Sequence, residues 1–371
     1  MKIGITGQRG FVGTHLTNNI KFLCEEFELV PYENKYFDEV DKLDLFISQC
    51  DVVVHLSGIN RHSDEDFLYK KNIELTETLI SSLIKSKNKT HLIFSSSTQE
   101  SNSSAYGKSK LESRKKFLDW SKQYGNKFTG LIIPNLFGPF CKPNYNSVVA
   151  TFCDKIINKG VPEVIDDKYI DLLYVQDLCL KIIDIIKLGI TDPSLNIKYL
   201  KRIKVSDLLT KLNTFASQYI EFGNIPDLNN HFDISLFNTL RSCIEYKTFF
   251  PKQYNKHNDL RGSFFELIRT NSKGQFSFSD TYQNKIRGNH FHTRKIERFS
   301  VIRGKALIEI RRVDNDEKIS LTIDGKSPSY VDMPIWYTHN IKNIGNTELI
   351  TLFWINEPYN PEDADTYFVN V

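Results

Sequence analysis

Near residue 246 the chain changes its hydrophobic rhythm. Before that point, short apolar runs alternate with stretches whose apolar residues recur at helical spacing. Residues 2–6 form a compact apolar run, and residues 11–22 carry apolar positions every three or four residues. The pattern then predicts an extended segment over 27–31, a short helix over 43–48 and a strand over 52–56, VVVHL. A near-continuous apolar run fits a strand buried on both faces of a parallel sheet, where alternation is lost. A helix over 66–84, a strand over 91–95, a helix over 109–124 and a strand over 129–133 continue the series. Alternation of this kind predicts an α/β domain with a Rossmann-like, doubly wound parallel sheet.

Beyond residue 246 the rhythm is that of short strands broken by Gly, Asn and Pro. Residues 274–279, 299–302, 306–311, 319–323, 330–333 and 349–354 read as strands, which predicts an all-β sandwich or barrel. Residues 222–252 read as the junction, so two domains are expected, 1–245 and 246–371. The 371 residues also exceed what one ordinary core holds together. Without repeats or a low-complexity linker, the two are expected to pack instead of swinging freely.

Composition narrows the function classes. A net charge of +3 is nearly neutral for this length and argues against a nucleic-acid binder. The six cysteines are scattered without CxxC spacing, as in reduced cytosolic proteins. The N-terminus enters a strand directly, and no stretch approaches the roughly 18 apolar residues that a membrane helix needs. A cytoplasmic protein without membrane insertion is expected.

The glycines Gly7, Gly10 and Gly13 follow the first strand and open a helix through Phe11 and Val12. In that context they permit a tight turn and close backbone approach to a pyrophosphate at a positive helix end. Tyr106 and Lys110 lie one helical turn apart, after a strand whose end carries Ser95, Ser96 and Ser97. Reduction of a carbonyl needs this set: Tyr as general acid, Lys⁺ to lower its pKa and bind the nicotinamide ribose, Ser to polarise the carbonyl. Ser97 is the expected serine, with Ser96 and Thr98 as alternatives. Arg9 in the glycine loop suits the 2′-phosphate of NADPH, whereas Glu33 would suit the ribose of NADH.

These residues, with VVHLSGIN (53–60), Asn72, IIPNLFGP (132–139) and YIDLLYVQDL (169–178), resemble the nucleotide-sugar branch of the extended short-chain dehydrogenase/reductases over residues 1–240. The resemblance implies cofactor contacts at Leu56, Gly58, Asn72 and Asn135. One departure is the nine-residue step from Ser97 to Tyr106, where this branch inserts a longer loop.

In the last third, His290 and His292, followed by Glu297, Gly304 and His339, show metal-site spacing and resemble the cupin superfamily. Imidazole and carboxylate donors suit a divalent metal, zinc first, with manganese and iron as alternatives. Trp336 stands where that superfamily usually has glycine. A second resemblance, DLRGSFFE (259–266) and RGNH (287–290), is to cupin-type 4-keto-sugar epimerases. It implies Arg261 and Arg287 as substrate ligands and His290 as the base, so His290 is claimed both as base and as metal ligand. Tyr337, Tyr359 and Asp332 are further candidates for moving the proton.

The two signatures in this order resemble bifunctional capsular-polysaccharide and O-antigen enzymes that make UDP-2-acetamido-2,6-dideoxy-β-L-talose. YGKSKLE (106–112), CKPNYNSVVATFC (141–153), GNHFH (288–292), YTHNI (337–341) and DTYFVNV (365–371) carry the likeness. It implies C3 epimerisation of a UDP-linked 4-keto-6-deoxy amino sugar in the barrel, then C4 reduction by NADPH, in a homodimer. Lys142, Asn144 and Asn146 are the expected nucleotide-sugar contacts. Two alternatives stay open: the same chemistry on a dTDP sugar, and a plain 4-ketoreductase with a non-catalytic barrel.

Overall fold

The computed structural model describes residues 1–255, 257–259, 262–264, 267–270 and 273–371. Packing divides the chain into two compact units, Met1–Thr151 with Val164–Asp207, and Phe152–Glu163 with Leu208–Val371.

In the first unit β1 (Lys2–Thr6) leads to α1 (Phe11–Leu23), β2 (Glu28–Val30), α2 (Val40–Ser48), β3 (Val52–His55) and α3 (Glu65–Ser86). Then come β4 (His91–Ser97), α4 (Ala105–Tyr124), β5 (Phe128–Ile133), β6 (Asn135–Phe137), α5 (Val148–Ile157), which crosses the division at Phe152, β7 (Tyr169–Tyr174), α6 (Val175–Leu188), β8 (Leu195–Asn196) and β9 (Lys201–Lys204). Six strands form one parallel sheet, β2-β1-β3-β4-β5-β8. The order reverses between β1 and β3, and ligands of such sheets bind at the carboxyl ends of the strands flanking that point.

The apolar runs bury both faces of this sheet. Ile3, Ile5, Val52, Val54 and Ile93 pack against Leu16 and Ile20 of α1 and Ile182 and Ile186 of α6. Val53, Leu92 and Phe94 turn the other way, toward Phe46 of α2, Leu79 of α3 and Phe117 of α4. Each fully buried aliphatic side chain contributes about 1.5–3 kcal/mol relative to exposure. The expected doubly wound domain is therefore observed. Helix α4 starts at Ala105, four residues before the apolar periodicity, because a cap starts it: Gly107 N–H donates to Ser104 Oγ at 3.1 Å.

In the second unit α7 (Val205–Ala216), which spans the division, is followed by α8 (His231–Arg241) and α9 (Tyr246–Phe249). The strands are β10 (Lys252–Gln253), β11 (His257–Asp259), β12 (Gly262–Phe264), β13 (Gln275–Thr281), β14 (Ile286–Phe291), β15 (Glu297–Arg303) and β16 (Lys305–Arg312). Then follow β17 (Lys318–Asp324), β18 (Ser329–Met333), β19 (Tyr337–Asn343), β20 (Leu349–Ile355) and β21 (Tyr367–Phe368). Ten of them form two five-stranded antiparallel sheets, β10-β18-β15-β20-β13 and β17-β16-β19-β14-β21, and β11 pairs with β12, as expected for a cupin-type barrel. Among the described residues no helix is long and apolar enough to cross a membrane.

Candidate active site

Gly7 follows β1 with φ +74°, and a Cβ there would lie 3.0 Å from the Ser57 nitrogen. Gly10 donates to the Gly7 carbonyl at 2.9 Å and caps α1 without any side-chain hydrogen bond. A Cβ on Gly13 would lie 2.0 Å from the Gly7 oxygen, so loop and helix approach closer than any side chain allows. The first-turn N–H groups, at Phe11 and Val12, have no intrahelical acceptor and form an anion seat at a positive helix end. Arg9 is exposed on this loop; Glu33, exposed after β2, pairs with Lys35 at 3.1 Å.

Lys110 is buried, with Nζ donating to the Ser95 carbonyl at 2.9 Å and lying 5.7 Å from the Tyr106 ring centroid. A Cβ on Gly58 would lie 3.6 Å from the same nitrogen. The loop after β3, the end of β4 and the first turns of α4 therefore meet around one ammonium group. Burial lowers the Lys110 pKa to about 8, against the opposing charge of Glu100. Burial raises Tyr106 to about 12, and the Tyr145 phenol adds to it. A phenol held protonated is an acid in waiting.

Ser97 is the last residue of β4; its Oγ accepts from Gln99 N–H at 3.1 Å, which leaves its O–H to donate. The Ser96 hydroxyl is committed to Glu100, and Thr98 is exposed. The short step from Ser97 to Tyr106 is held by a clamp that sequence reasoning missed. Arg114 of α4 grips Glu100 through Nε at 2.8 Å and Nη2 at 2.7 Å, in a half-sequestered bidentate pair.

Asn72 is buried behind this cleft. Its amide accepts from Ile59 N–H at 2.8 Å and donates to the Ile59 carbonyl at 3.0 Å and Ser109 Oγ at 3.1 Å. It pins the loop that carries Gly58. Leu56 N–H donates to Thr6 Oγ1 at 3.2 Å, tying the ends of β1 and β3 together. Asn135 is exposed on β6, with Nδ2 on the Asp171 carbonyl at 3.3 Å. Lys142, Asn144 and Asn146 are exposed on one loop, whose intervening Tyr145 is close enough to act on the Tyr106 hydroxyl. Arg61 Nη1 donates to the Tyr145 carbonyl at 3.1 Å and so positions that loop, a contact no sequence motif announced.

In the barrel, His290, His292, Glu297 and His339 bring one donor atom each to within 4.8 Å of one another, a grouping that could hold a metal ion. Nε2 of His292 and of His339 each lie 3.1 Å from Glu297 Oε2, and Nε2 of His290 lies 3.9 Å from it. The Nδ1 atoms of His292 and His339 face the carbonyls of Asp365 at 2.5 Å and Tyr337 at 3.1 Å. A carbonyl only accepts, so each Nδ1 carries the proton, and Nε2 faces the carboxylate as a lone pair in the neutral ring or as a second N–H in the imidazolium. Such a convergence of acceptors calls for protons or a cation, and backbone carbonyls on the outer nitrogens are the usual support of metal-bound imidazoles. The donor set fits a divalent metal.

Burial raises the Glu297 carboxyl, but the three imidazoles outweigh it and hold it well below the usual range. On His292 burial works against the charge, yet Glu297 and Asp365 raise its pKa; His339 is lowered, chiefly by burial. Asp365 also fixes the turn after His292. Its carboxylate accepts from Thr293 N–H at 3.0 Å, Thr293 Oγ1 at 2.7 Å, Arg294 N–H at 3.0 Å and Lys295 N–H at 2.9 Å. No local motif could have disclosed a cap that acts across some seventy residues.

Arg287 is exposed, with Nε on Thr281 Oγ1 at 3.1 Å and Nη2 on the Asp280 carbonyl at 2.9 Å. Arg261 lies outside the described residues. Asp332 is fully buried, accepting from Arg298 at 2.7 and 3.0 Å and from Tyr219 at 2.6 Å, which makes it a structural anion. Tyr337 stacks on Tyr246 at 6.4 Å, and Tyr359 is exposed with Lys295 Nζ 5.6 Å from its ring.

Trp336 takes φ +64°, which explains why glycine is usual there. Its buried ring stacks on Phe291 at 5.4 Å, and that packing outweighs a left-handed backbone cost of about 1–2 kcal/mol. Trp336→Gly is therefore expected to destabilise the chain by about 2–4 kcal/mol, measured by denaturant unfolding. A stabilised variant would contradict this account of the turn.

A Rossmann-like sheet with a glycine-loop phosphate seat and a Tyr–Lys helix defines a nicotinamide-nucleotide class of domain, here joined to a barrel with a His–Glu cluster. The profile of the NAD dependent epimerase/dehydratase family matches residues 3–197, and the chain belongs to that family. Residues 257–367 match the profile of the polysaccharide biosynthesis C-terminal domain. The UDP-2-acetamido-2,6-beta-L-arabino-hexul-4-ose reductase of Pseudomonas aeruginosa is 29% identical over 376 residues, covering 100% of this chain and 99% of its own. The crystal structure of the capsular polysaccharide assembling protein CapF from Staphylococcus aureus superposes with a TM-score of 0.62 at 32% identity, covering 100% of both chains. The structure of RMD from Pseudomonas aeruginosa complexed with NADPH shares the fold at 23% identity and a TM-score of 0.53, over 58% of this chain and 82% of that one.

Proposed function

We propose that the chain is a bifunctional nucleotide-sugar enzyme of capsule or O-antigen synthesis. The barrel epimerises C3 of a UDP-4-keto-6-deoxy-N-acetylhexosamine, and the reductase half reduces the C4 ketone with NADPH to UDP-2-acetamido-2,6-dideoxy-L-talose. The observation that carries this reading is the end-to-end likeness to a reductase whose name specifies a UDP-linked 4-ulose. Functionally the halves are 1–245 and 246–371; a cytoplasmic homodimer belongs to the same reading.

NADPH, when bound, supplies the hydride. Phe11 and Val12 N–H groups would seat its pyrophosphate, Arg9 would pair with its 2′-phosphate, and Lys110 would meet its ribose. Tyr106 gives its proton to the C4 oxygen as charge develops there, while the Ser97 O–H donates to the same oxygen. Lys142, Asn144 and Asn146 contact the nucleotide sugar beside Tyr106. In the barrel, His292, Glu297 and His339 would hold a divalent metal with His290 as fourth donor, and Arg261 and Arg287 would hold diphosphate or sugar oxygens. The metal, zinc first, supplies Lewis-acid polarisation. If His290 instead stands free of metal, it is the base at C3.

Chemical order follows from the ketone, which acidifies the C3 proton and is consumed only by reduction. Supplying UDP- and dTDP-linked 4-keto sugars separately with NADPH tests the substrate: turnover of the UDP sugar to the L-talo product is expected, and preference for dTDP would overturn it. The hydride step should also report Lys110. Its charged form is the working one and burial lowers its pKa to about 8, so kcat should hold below that pH and fall above it. A profile flat to the ordinary lysine range of about 10.4 would contradict that role.

A further inference from the structure

Strand register lines up four residues across one sheet: Ile310 of β16 opposite His339 of β19, His339 opposite His290 of β14, and His290 opposite Phe368 of β21. Directly paired residues in antiparallel strands project from the same face. Along this row exposure rises from 0% at Ile310 and His339, through 18% for the His290 side chain, to 82% at Phe368. The His–Glu cluster thus opens to solvent on the side of the edge strand β21, and the first side chain met there is an aromatic ring. The Phe368 and His290 rings meet edge to face at 6.2 Å and 85°, leaving most of the phenyl surface free.

The ring is not on a loose end. Val369 N–H donates to the Asn289 carbonyl at 2.9 Å, Thr338 Oγ1 donates to the Val369 carbonyl, and Arg311 Nη2 donates to the Asn370 carbonyl at 2.7 Å. Asp365 anchors the same segment from its other end through the 293–295 turn. Single exposed apolar residues are ordinary. An exposed phenyl held in register beside the open member of a polar cluster is a prepaid binding surface, since its ordering cost is met before any ligand arrives. Its π face carries negative charge density and attracts the slightly positive C–H groups of a sugar's apolar face.

We propose that Phe368 forms the sugar-binding wall of the His290–His292–Glu297–His339 site, its ring receiving the C–H face of the hexose. This rests on the reading that the site acts on a 4-keto nucleotide sugar. Phe368→Ala should raise KM for C3 deuterium exchange about 10-fold with kcat little changed. Phe368→Tyr should restore KM, and both variants should keep the wild-type metal content and unfolding midpoint. In parallel, saturation-transfer NMR on a UDP-hexose without NADPH should show transfer from protein aromatic protons to the sugar C–H groups, lost in Phe368→Ala. An unchanged KM, or transfer to the uracil alone, overturns the assignment. Absence of exchange in the wild-type protein would instead overturn the functional reading, and the NMR arm would still decide the role of Phe368.

Discussion

Tyr106→Phe is expected to lower kcat for ketone reduction by about 10²–10⁴-fold, the usual worth of a positioned general acid. The substitution removes one hydroxyl and keeps the ring beside Lys110 Nζ, so cofactor binding and the unfolding midpoint should be unchanged. The size of the effect follows from the site. Burial raises the Tyr106 pKa to about 12, and the Lys110 ammonium lies 5.7 Å from its ring centroid. Ser97→Ala should cost less, because it removes a hydrogen bond and leaves the proton donor. Stopped-flow nicotinamide absorbance measures both; a Tyr106→Phe rate within a factor of about 10 would take the acid role from Tyr106. C3 exchange in the barrel should be unaffected by either change.

His339→Ala is expected to have the opposite signature. His339 is fully buried, its Nδ1 is fixed by the Tyr337 carbonyl, and its Nε2 lies 3.1 Å from Glu297. If the cluster holds a metal, removing His339 should empty it and lower C3 exchange by about 10²-fold or more, because the Lewis-acid polarisation that a metal would supply is worth several kcal/mol. Hydride transfer to a ketone already epimerised should persist. Because a buried histidine is being deleted, Glu297→Gln serves as the near-isosteric partner, and metal analysis and the unfolding midpoint are read for both. Normal exchange in a metal-depleted variant would make the barrel's metal dispensable. His290→Ala separates the two roles of that residue: retained metal with lost exchange marks it as base, and loss of both marks it as ligand.

How much could be read in advance depended on where each signal lies along the chain. The parallel sheet was legible because its strands are buried on both faces, so runs such as VVVHL stand out. The glycine loop and the Tyr–Lys turn were legible because their geometry is local. The histidine-bearing strands β14 and β19 showed no clean alternation, for a physical reason. Their inward positions are filled by His290, His339 and Asn343, polar residues that serve the cluster or the fold. The cluster was recognised by its chemistry and not by periodicity. The small sheet of β6, β7 and β9 went unforeseen because its strands are three to six residues long and pair across distant segments. Contacts that only the folded chain brings together were invisible: Glu100 with Arg114, Arg61 with the Tyr145 carbonyl, Asp365 with the 293–295 turn, and Phe368 opposite His290. Asp332 shows the converse. Named in the sequence with Tyr337 and Tyr359 as a candidate for moving the proton, it is buried by the fold as the counter-ion of Arg298.

The central claim is that one ketone serves two sites, first as the activator of C3 and then as the hydride acceptor at C4. Its most direct test is NMR of a UDP-4-keto-6-deoxy-N-acetylhexosamine incubated with the protein in D₂O without NADPH, followed by addition of NADPH. Deuterium should enter at C3 before any nicotinamide is present, and NADPH should then convert the labelled sugar to the L-talo product. Reduction that proceeds with no deuterium at C3 would contradict the account and leave a ketoreductase with a non-epimerising barrel.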